Sequence, residues 1–289
     1  MLLFIGGGGL GNQIFQYLAI RSRLGEGTLG TSSLQTLDNV FSNTKTVRIP
    51  KAAETILRLI IGPLLLKPLF KWFRLGTYCY EPMALMSNGS CGPSGDMVVQ
   101  QGLLPVAYVD GGFYQNLSEL LSPADFRRLR VREDVLAAAR AVVDGALMGR
   151  PWPKAVMHVR RGDYLLYSYC GVRDVLLPVA YFQRAAAAAR EYVGTDAELL
   201  VVTDDPSWCE LALAEMRPFT VVSSSEAVDF ALLSMFPVAL LSNSTFSLAA
   251  ACVGPDVERV IGPRYWLGHA VKQWYPPRIE ARDKRFIYI

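Results

Sequence analysis

The chain has 289 residues, of which 51% are hydrophobic and 19% are charged, as in a folded globular protein of roughly two domains. Its formal net charge of +3 excludes the strongly basic surface of a duplex-binding protein, so nucleic acid is not an expected partner. Two histidines and five scattered cysteines without a CxxC pair exclude a zinc site and a disulfide framework, and they favour free thiols in a reducing compartment.

The first residues predict a short buried strand at 2–5, a glycine-rich turn, and a helix from Asn12 to Arg23, where apolar residues recur at helical spacing. The chain start has no basic region of the kind that opens a signal peptide. We therefore expect a cytoplasmic protein.

The glycine-rich turn matches the GxGxxG pattern at Gly6, Gly8 and Gly11, which lets backbone N–H groups approach a phosphate closely. A dinucleotide fold also needs an acidic residue at the end of its second strand, about 20 residues later, and none is suitably placed. The glycines thus leave open a packing turn or, as an alternative function, a dinucleotide-dependent oxidoreductase. Asn12 and Gln13 are candidates for direct ligand contact.

The segment 55–75, TILRLIIGPLLLKPLFKWFRL, is apolar but carries four basic residues and two prolines, so it cannot cross a bilayer as a clean apolar helix. We prefer to interpret it as a partly buried helix pair broken at Gly62–Pro63. The alternative is a peripheral contact with an anionic membrane surface, which apolar and basic residues together could make.

A strand is predicted within 106–116, and a helix is predicted to start at Ser122–Pro123 and to continue to residue 147. The stretch 148–154, MGRPWPK, is rich in Pro and Gly, so we place the domain boundary there. This gives an N-terminal α/β domain at 1–150 and a C-terminal domain at 151–289.

The second half alternates between predicted strands and helices, which favours a parallel sheet with helices on both faces. The predicted strands are AVMHV, ELLVVT, FTVVSS, VALLSNS and RVIGP. Ligands bind outside the carboxyl ends of such strands. Three polar clusters follow strands here, HVRRGDY (158–164), TDD (203–205) and SNSTFS (242–247), and we expect them to meet at one edge of the sheet.

The cluster HVRRGDY brings His158, Arg160, Arg161 and Asp163 together just after a buried strand. Adjacent arginines on an extended segment point in opposite directions. We expect one to hold a ligand, since a guanidinium binds a diphosphate with two charge-assisted hydrogen bonds. The other should tie the loop down, with Asp163 as its candidate partner. A purely structural ion-pair network is the alternative.

The other two clusters could contribute to the same site. Asp204 and Asp205 could coordinate Mg²⁺ or accept hydrogen bonds from a guanine edge, and Asp205 before Pro206 also fits a helix N-cap. The hydroxyls of SNSTFS lie where a strand turns into a helix, which is typical of an anion site. A well-capped helix without a ligand remains the alternative.

These stretches together resemble the alpha-1,2-fucosyltransferases of glycosyltransferase family 11. The matching motifs follow in order along most of the chain: GGLGNQIFQY (8–17), DGGFYQN (110–116), HVRRGDY (158–164), VVTDD (201–205), SNSTFS (242–247) and GPRYW (262–266). One departure is Gly112, where we expect an aromatic residue.

The resemblance implies a GT-B-like fold with two facing Rossmann-like α/β domains, the first on the acceptor side and the second binding GDP-fucose. It implies a metal-independent, inverting transfer of L-fucose from GDP-β-L-fucose to the 2-OH of a galactoside, in the synthesis of a surface glycan or O-antigen. No cofactor is expected beyond the donor. A nucleotide- or glycan-binding module without catalysis is an alternative.

The resemblance also implies roles for individual residues. Arg160 would hold the β-phosphate and stabilise the leaving GDP, and Asp163 is the candidate for a second catalytic residue. The remaining donor contacts would come from Gly11, Asn12, His158, Asp204, Asp205, Ser244, Thr245, Phe246 and Ser247.

Overall fold

The computed structural model of the protein describes residues 1–85, 91–168 and 173–289. The chain divides into two compact units. The N-terminal unit comprises Met1–Ser122 with Pro276–Ile279, and the C-terminal unit comprises Pro123–Tyr275 with Glu280–Ile289. Each unit is an α/β structure built on its own six-stranded sheet.

The N-terminal unit contains strands β1 to β8 and helices α1 to α4. The strands are β1 (Leu2–Phe4), β2 (Leu29–Thr31), β3 (Thr46–Arg48), β4 (Gly76–Tyr80), β5 (Met83–Leu85), β6 (Cys91–Pro93), β7 (Val98–Gln100) and β8 (Leu104–Val109). The helices are α1 (Leu10–Leu24), α2 (Leu37–Val40), α3 (Lys51–Ile56) and α4 (Lys67–Lys71). The predicted strand at 2–5 and the helix after the glycines are thereby confirmed.

The sheet of this unit has the strand order β3-β2-β1-β8-β4-β7, with only β7 antiparallel to its neighbour. The order reverses between β1 and β8, and such a reversal leaves a crevice at the carboxyl ends of the two strands. The glycine-rich turn follows β1, and the DGGFYQN motif follows β8. Both motifs therefore meet at the crevice.

The predicted break at Gly62–Pro63 is wrong, because the helical backbone runs from Lys51 through the π-helical turns Leu57–Leu66 to Lys71. Proline lacks the N–H that an α-helical turn requires, and this is why it usually interrupts a helix. Here the wider π-type turn carries the chain past Pro63, with the Lys67 N–H donating to the Gly62 carbonyl.

The C-terminal unit contains strands β9 to β14 and helices α5 to α10. The strands are β9 (Ala155–Val159), β10 (Leu199–Thr203), β11 (Phe219–Val222), β12 (Val238–Leu240), β13 (Arg259–Gly262) and β14 (Phe286–Tyr288). The helices are α5 (Pro123–Phe126), α6 (Glu133–Leu147), α7 (Val179–Val193), α8 (Pro206–Ala212), α9 (Glu226–Leu233) and α10 (Thr245–Val253).

All strands of this second sheet are parallel, in the order β11-β10-β9-β12-β13-β14. This is the strand order of a Rossmann fold, and it reverses between β9 and β12. The β9 residues Met157 and Val159 face the cluster that α7 and α8 cover, whereas His158 faces α10 on the other side. Every residue of β9 and β10 is buried, so the sheet has helices on both faces, as predicted.

Three details of the C-terminal unit differ from the sequence-based expectations. The predicted helix from residue 122 to 147 is divided into α5 and α6. The predicted domain boundary at 148–154 follows α6, whereas the units separate before α5, because α6 packs on α9 and β11. The last strand, β14, was not predicted; it is only three residues long, and its side chains are partly exposed.

Within the described residues, every helix is too short or too polar to cross a membrane. The thiols of Cys79, Cys91, Cys209 and Cys252 are free, and three of them are buried. Cys170 lies outside the described residues.

Candidate active site

The three polar clusters of the C-terminal unit follow β9, β10 and β12, which are neighbours in the sheet. His158 lies beside Val202 of β10, and Met157 lies beside Leu240 of β12. The parallel register brings the carboxyl ends of the three strands to one edge. The predicted convergence of the clusters at one edge of the sheet is confirmed, and the structure places it at the reversal of strand order.

Arg160 is held between two carboxylates at this edge. Its Nε lies 2.9 Å from Asp163 Oδ1, and its Nη1 lies 2.9 Å from Asp204 Oδ2. The backbone N–H of Arg160 donates to the Ser242 hydroxyl over 3.4 Å, which ties the loop to the end of β12. The Arg160 side chain is 36% exposed, so a fixed guanidinium is accessible from solvent.

Arg161 points away from Arg160 and is more deeply buried, with a side-chain exposure of 15%. Its Nε donates to Asp205 Oδ2 over 3.1 Å, and its guanidinium lies 4.0 Å from the ring centroid of Trp208. The expected divergence of the two arginines is therefore confirmed. The expected partner was wrong: Asp163 pairs with Arg160, and Arg161 is neutralised by Asp205.

The two aspartates after β10, Asp204 and Asp205, make different contacts. Asp204 Oδ1 accepts from the Arg161 N–H over 2.9 Å, so this carboxylate holds both the side chain of Arg160 and the loop backbone. A Cβ on Gly162 would lie 2.8 Å from Asp204 Oδ2, which is why the loop needs glycine there. Asp205 caps α8 by accepting from the Trp208 N–H, as its position before Pro206 predicted.

The charges next to Asp204 and Asp205 are unfavourable for Mg²⁺ coordination, which was one of the predicted alternatives. Each carboxylate faces a guanidinium, and a neighbouring positive charge opposes binding of a cation. Among the described residues, no group of three His, Cys, Asp or Glu side chains is arranged to hold a metal ion.

His158 is 5% exposed and lies on the opposite face of β9 from Met157, with its ring centroid 5.6 Å from that of Phe246. Burial lowers the pKa of His158 to about 3, with a smaller contribution from the charge of Arg160. The imidazole is therefore neutral near pH 7. Its buried Nδ1 has no hydrogen-bond partner among the described residues. His158 immediately precedes residues 159–164, which we call the arginine loop.

The SNSTFS segment forms the turn from β12 into α10. Ser244 is the N-cap of α10, and its hydroxyl accepts from the Phe246 N–H over 3.4 Å. The Ser247 hydroxyl donates back to the Ser244 carbonyl over 3.1 Å. Ser242 and Asn243 are buried. The hydroxyls thus stabilise a helix N-terminus, whose backbone N–H groups and dipole favour an anion.

Two residues join the arginine loop to this helix start, and the sequence analysis assigned a role to neither. The Tyr164 hydroxyl donates to the Asn243 carbonyl over 3.1 Å, and Asn243 Nδ2 donates to the Val175 carbonyl over 2.6 Å. Both residues lie inside motifs that the sequence analysis had quoted. Their partners are distant in sequence, so local patterns contain no signal for these contacts.

Gly11 and Asn12 lie in the N-terminal unit, at the start of α1. Asn12 Oδ1 accepts from Gln115 Nε2 over 2.8 Å, and Gln16 Nε2 donates to the carbonyls of Gly7 and Gly112 over 3.0 and 2.8 Å. These amides hold the glycine-rich turn against the DGGFYQN motif. Gln13, the other predicted contact, instead binds the Gly8 carbonyl and the Thr36 hydroxyl.

The departure at Gly112 has a steric reason. A Cβ at this position would lie 2.7 Å from the Cβ of Glu81 and 2.9 Å from Cζ of Tyr114. Glu81 accepts hydrogen bonds from the N–H groups of Gly95 and Phe113 over 2.7 and 2.6 Å, so it cannot move aside without losing them. Burial raises the pKa of Glu81, although these N–H donors oppose the effect.

A cavity of about 600 Å³ lies within the N-terminal unit, at the carboxyl ends of β1 and β8. Its walls combine the glycine-rich turn with the polar side chains of Gln16, Lys67, Glu81 and Asp110. Lys67 and the Tyr78 hydroxyl both lie 2.8 Å from Asp110 Oδ2. The second strand, β2, ends at Thr31 rather than at an acidic residue, so the cavity lacks the ribose contact of a dinucleotide site.

Known proteins resemble this chain in sequence or in fold. The chain is 30% identical over 115 residues to the O-antigen biosynthesis glycosyltransferase WbnK of Escherichia coli, and the match spans 38% of each chain. The chain thus covers well under two thirds of that relative.

Two crystal structures of POFUT1 share the fold. The complex with GDP superposes with a TM-score of 0.52 at 11% identity, covering 90% of this chain and 97% of POFUT1. The complex with GDP-fucose gives a TM-score of 0.50 at 11% identity, with the same coverage of both chains. The two α/β units with parallel sheets are accordingly of the GT-B-like class.

The family model Glyco_transf_11 (Glycosyl transferase family 11) matches residues 14–260, a range that includes the arginine loop, the aspartate pair and the SNSTFS helix start. Because this match spans most of the chain, the chain belongs to glycosyl transferase family 11.

Proposed function

We propose that the protein is a galactoside alpha-1,2-fucosyltransferase that moves L-fucose from GDP-β-L-fucose to the 2-OH of a galactose-terminated oligosaccharide. The observation that carries the proposal is the guanidinium of Arg160, fixed by Asp163 and Asp204 at the reversal of strand order in the C-terminal unit. The motif resemblance to family 11 fucosyltransferases and the fold shared with a GDP-fucose complex support the choice of donor.

In the proposed reaction, the bond between fucose C1 and the diphosphate oxygen breaks while the acceptor O2 bonds to C1 from the opposite face. The β-linked donor thus gives an α-linked product with inversion, and the acceptor proton passes to solvent or a base. Negative charge grows on the departing GDP. Arg160 and the N-terminus of α10 would stabilise that charge from fixed positions, so no metal ion is required.

The other residue roles follow from the contacts already described. We assign Asp163 to positioning Arg160, since its carboxylate accepts a hydrogen bond from the Arg160 guanidinium. His158 would lie near the guanine, and Asp204 or Asp205 would accept from the guanine edge. Ser244, Thr245, Phe246 and Ser247 would surround the diphosphate, with Gly11 and Asn12 as contacts from the N-terminal unit.

The proposed acceptor side is the N-terminal unit, and its support is the polar cavity at the ends of β1 and β8. The proposed pathway is surface-glycan or O-antigen synthesis, since the Escherichia coli relative acts in O-antigen biosynthesis. We propose a cytoplasmic location, for which the free buried thiols of Cys79, Cys209 and Cys252 are the support.

The first test is calorimetric titration with GDP in the presence of EDTA, on the wild type and on Arg160→Ala. We expect binding in the micromolar range, and a loss of about 2–4 kcal/mol in the variant, because a charged partner of the diphosphate is removed. Arg132→Ala is the matched control, since Arg132 also pairs with a carboxylate, Asp134, but lies outside the site. Equal binding by wild type and Arg160→Ala would overturn the phosphate assignment.

Turnover separates the enzyme from a nucleotide-binding module without catalysis. The wild type is incubated with GDP-fucose and a panel of galactose-terminated oligosaccharides, and the product is analysed by NMR. We expect one α-linked fucose on O2 of galactose. Fucose on another hydroxyl would contradict the linkage, and GDP binding without any transfer to the panel would favour the binding module.

A further inference from the structure

The long helical segment of the N-terminal unit exposes an unusual number of large apolar side chains. Leu59, Leu64, Trp72 and Phe73 are exposed by 65%, 72%, 71% and 72%. The exposed set on this segment and the turn that follows it is Ile56, Leu59, Ile60, Leu64, Leu65, Trp72, Phe73 and Leu75. Isolated exposed apolar residues are ordinary, but a group of this size marks an interaction surface.

A second segment adds to this surface. The N–H groups of Leu103 and Leu104 donate to the carbonyls of Arg74 and Leu75 over 2.9 and 2.8 Å, which brings these leucines to the end of the helix. Both leucines are exposed. We call these eight side chains and the two leucines the apolar surface.

The charged residues within 55–80 of the segment are all basic. Residues 55–80 contain no Asp or Glu, and Lys71 and Arg74 flank Trp72 and Phe73. Both basic residues are exposed. Aromatic side chains at the level of lipid headgroups, with cations beside them, are the composition by which amphipathic helices bind anionic bilayers.

We propose that the apolar surface binds the face of an anionic lipid bilayer, with Trp72 and Phe73 inserted at headgroup depth and Lys71 and Arg74 contacting lipid phosphates. A second copy of the chain fits less well. In a two-fold interface the same patch meets itself, so the basic residues of both copies would be brought together without carboxylates to neutralise them.

The helical segment that would contact the bilayer also lines the cavity of the N-terminal unit. Pro63 and Lys67, on the same helical segment, line the 600 Å³ cavity of the N-terminal unit. A bilayer under the apolar surface would therefore lie at the edge of that cavity. The proposal concerns binding alone and does not depend on the proposed activity.

The test is flotation of the full chain with vesicles of phosphatidylcholine, with or without phosphatidylglycerol, at low and high salt. We expect binding that requires phosphatidylglycerol and weakens with salt. The double variant Trp72→Ser/Phe73→Ser should lose at least about tenfold in partitioning, since two large apolar side chains no longer insert. Lys71→Gln/Arg74→Gln should lose about fivefold for each charge removed and depend less on salt.

Leu211→Ser is the matched control, because Leu211 is 81% exposed but lies in the C-terminal unit. It should bind vesicles like the wild type. GDP titration of each variant checks that the fold is retained and separates this proposal from the proposed function. Absence of vesicle binding by a wild type that binds GDP would overturn the proposal. Vesicle binding that the surface variants do not change would also overturn the proposal. A concentration-dependent dimer that Trp72→Ser/Phe73→Ser abolishes would overturn it in favour of a second copy of the chain.

Discussion

The crevices of the two units occupy the same topological position, and they are built from different chemistry. In the C-terminal unit, the ends of β9, β10 and β12 carry arginines and aspartates in ion pairs, beside the serine-capped start of α10. In the N-terminal unit, glycines and side-chain amides line the ends of β1 and β8, with a single ion pair between Lys67 and Asp110 among the residues described there. A parallel sheet dictates where a ligand can bind, and the residues after each strand decide which ligand.

The two crevices should also respond differently to amino-acid substitutions. The charged site holds the partly exposed guanidinium of Arg160 with ion pairs to Asp163 and Asp204, so substitution of Arg160 should mainly change ligand affinity. The glycine-rich site is closely packed around Gly112 and Glu81, so substitutions there should change stability. Three substitutions test this contrast.

The largest effect on stability is expected for Gly112→Ala in the N-terminal unit. The added methyl would lie 2.7 Å from Glu81 Cβ, so Glu81 or the loop must shift. We expect a loss of about 1–3 kcal/mol in the free energy of unfolding, measured by urea denaturation. Gly27→Ala is the matched control, because its nearest contact would be an ordinary 3.7 Å. Equal stability of the two variants would break the contrast between the units.

The next prediction is that Arg160 and Arg161 differ in their effects on stability and on GDP affinity. Arg161→Ala removes an ion pair with Asp205 and the stacking on Trp208, and we expect a loss of about 1–2 kcal/mol in unfolding free energy. Its effect on GDP affinity should be smaller than that of Arg160→Ala. Both quantities are measured on both variants. If Arg161→Ala abolishes GDP binding while leaving stability intact, the roles of the two arginines are reversed.

The smallest effect is a pH dependence that arises from His158. Its pKa is about 3 in the folded protein and about 6.5 when unfolded, so the unfolded chain binds the extra proton between these values. Stability from this group is therefore present above about pH 6.5 and is lost as the pH falls towards 3. Between about pH 7.5 and about pH 5.5 the loss should be about 1 kcal/mol.

The comparison is made with His158→Gln, which cannot titrate. The unfolding free energy of the wild type should fall more steeply with acidification than that of this variant. Parallel pH profiles for the two proteins would contradict a buried neutral imidazole.

Much of the C-terminal site could be predicted because its signals are local. The apolar runs before His158, Asp204 and Ser242 predicted strands, and alternation with helices predicted a parallel sheet. From these two facts, convergence of the three polar clusters follows, since all parallel strands end at the same edge. The partners within the site could not be predicted. Asp163 and Asp205 were both available to Arg161, and the choice between them depends on loop geometry rather than on sequence distance.

The helical segment at 51–71 shows the opposite case. Local rules for proline predicted a break at Gly62–Pro63, but a π-type turn keeps the helix continuous. Leu103 and Leu104, which extend the apolar surface, come from a distant segment. No short stretch of the sequence contains both the helical segment and these two leucines.

The sequence by itself determined the alternation of strands and helices, the family motifs, and the polar side chains that end each strand. Periodicity and turn chemistry act over a few residues, so they can be read directly from the chain. Only the tertiary structure decided the strand order, the pairing of Arg160 with Asp204, and the exposure of the apolar surface. These depend on contacts between residues far apart in sequence, which form only when the whole sheet is assembled.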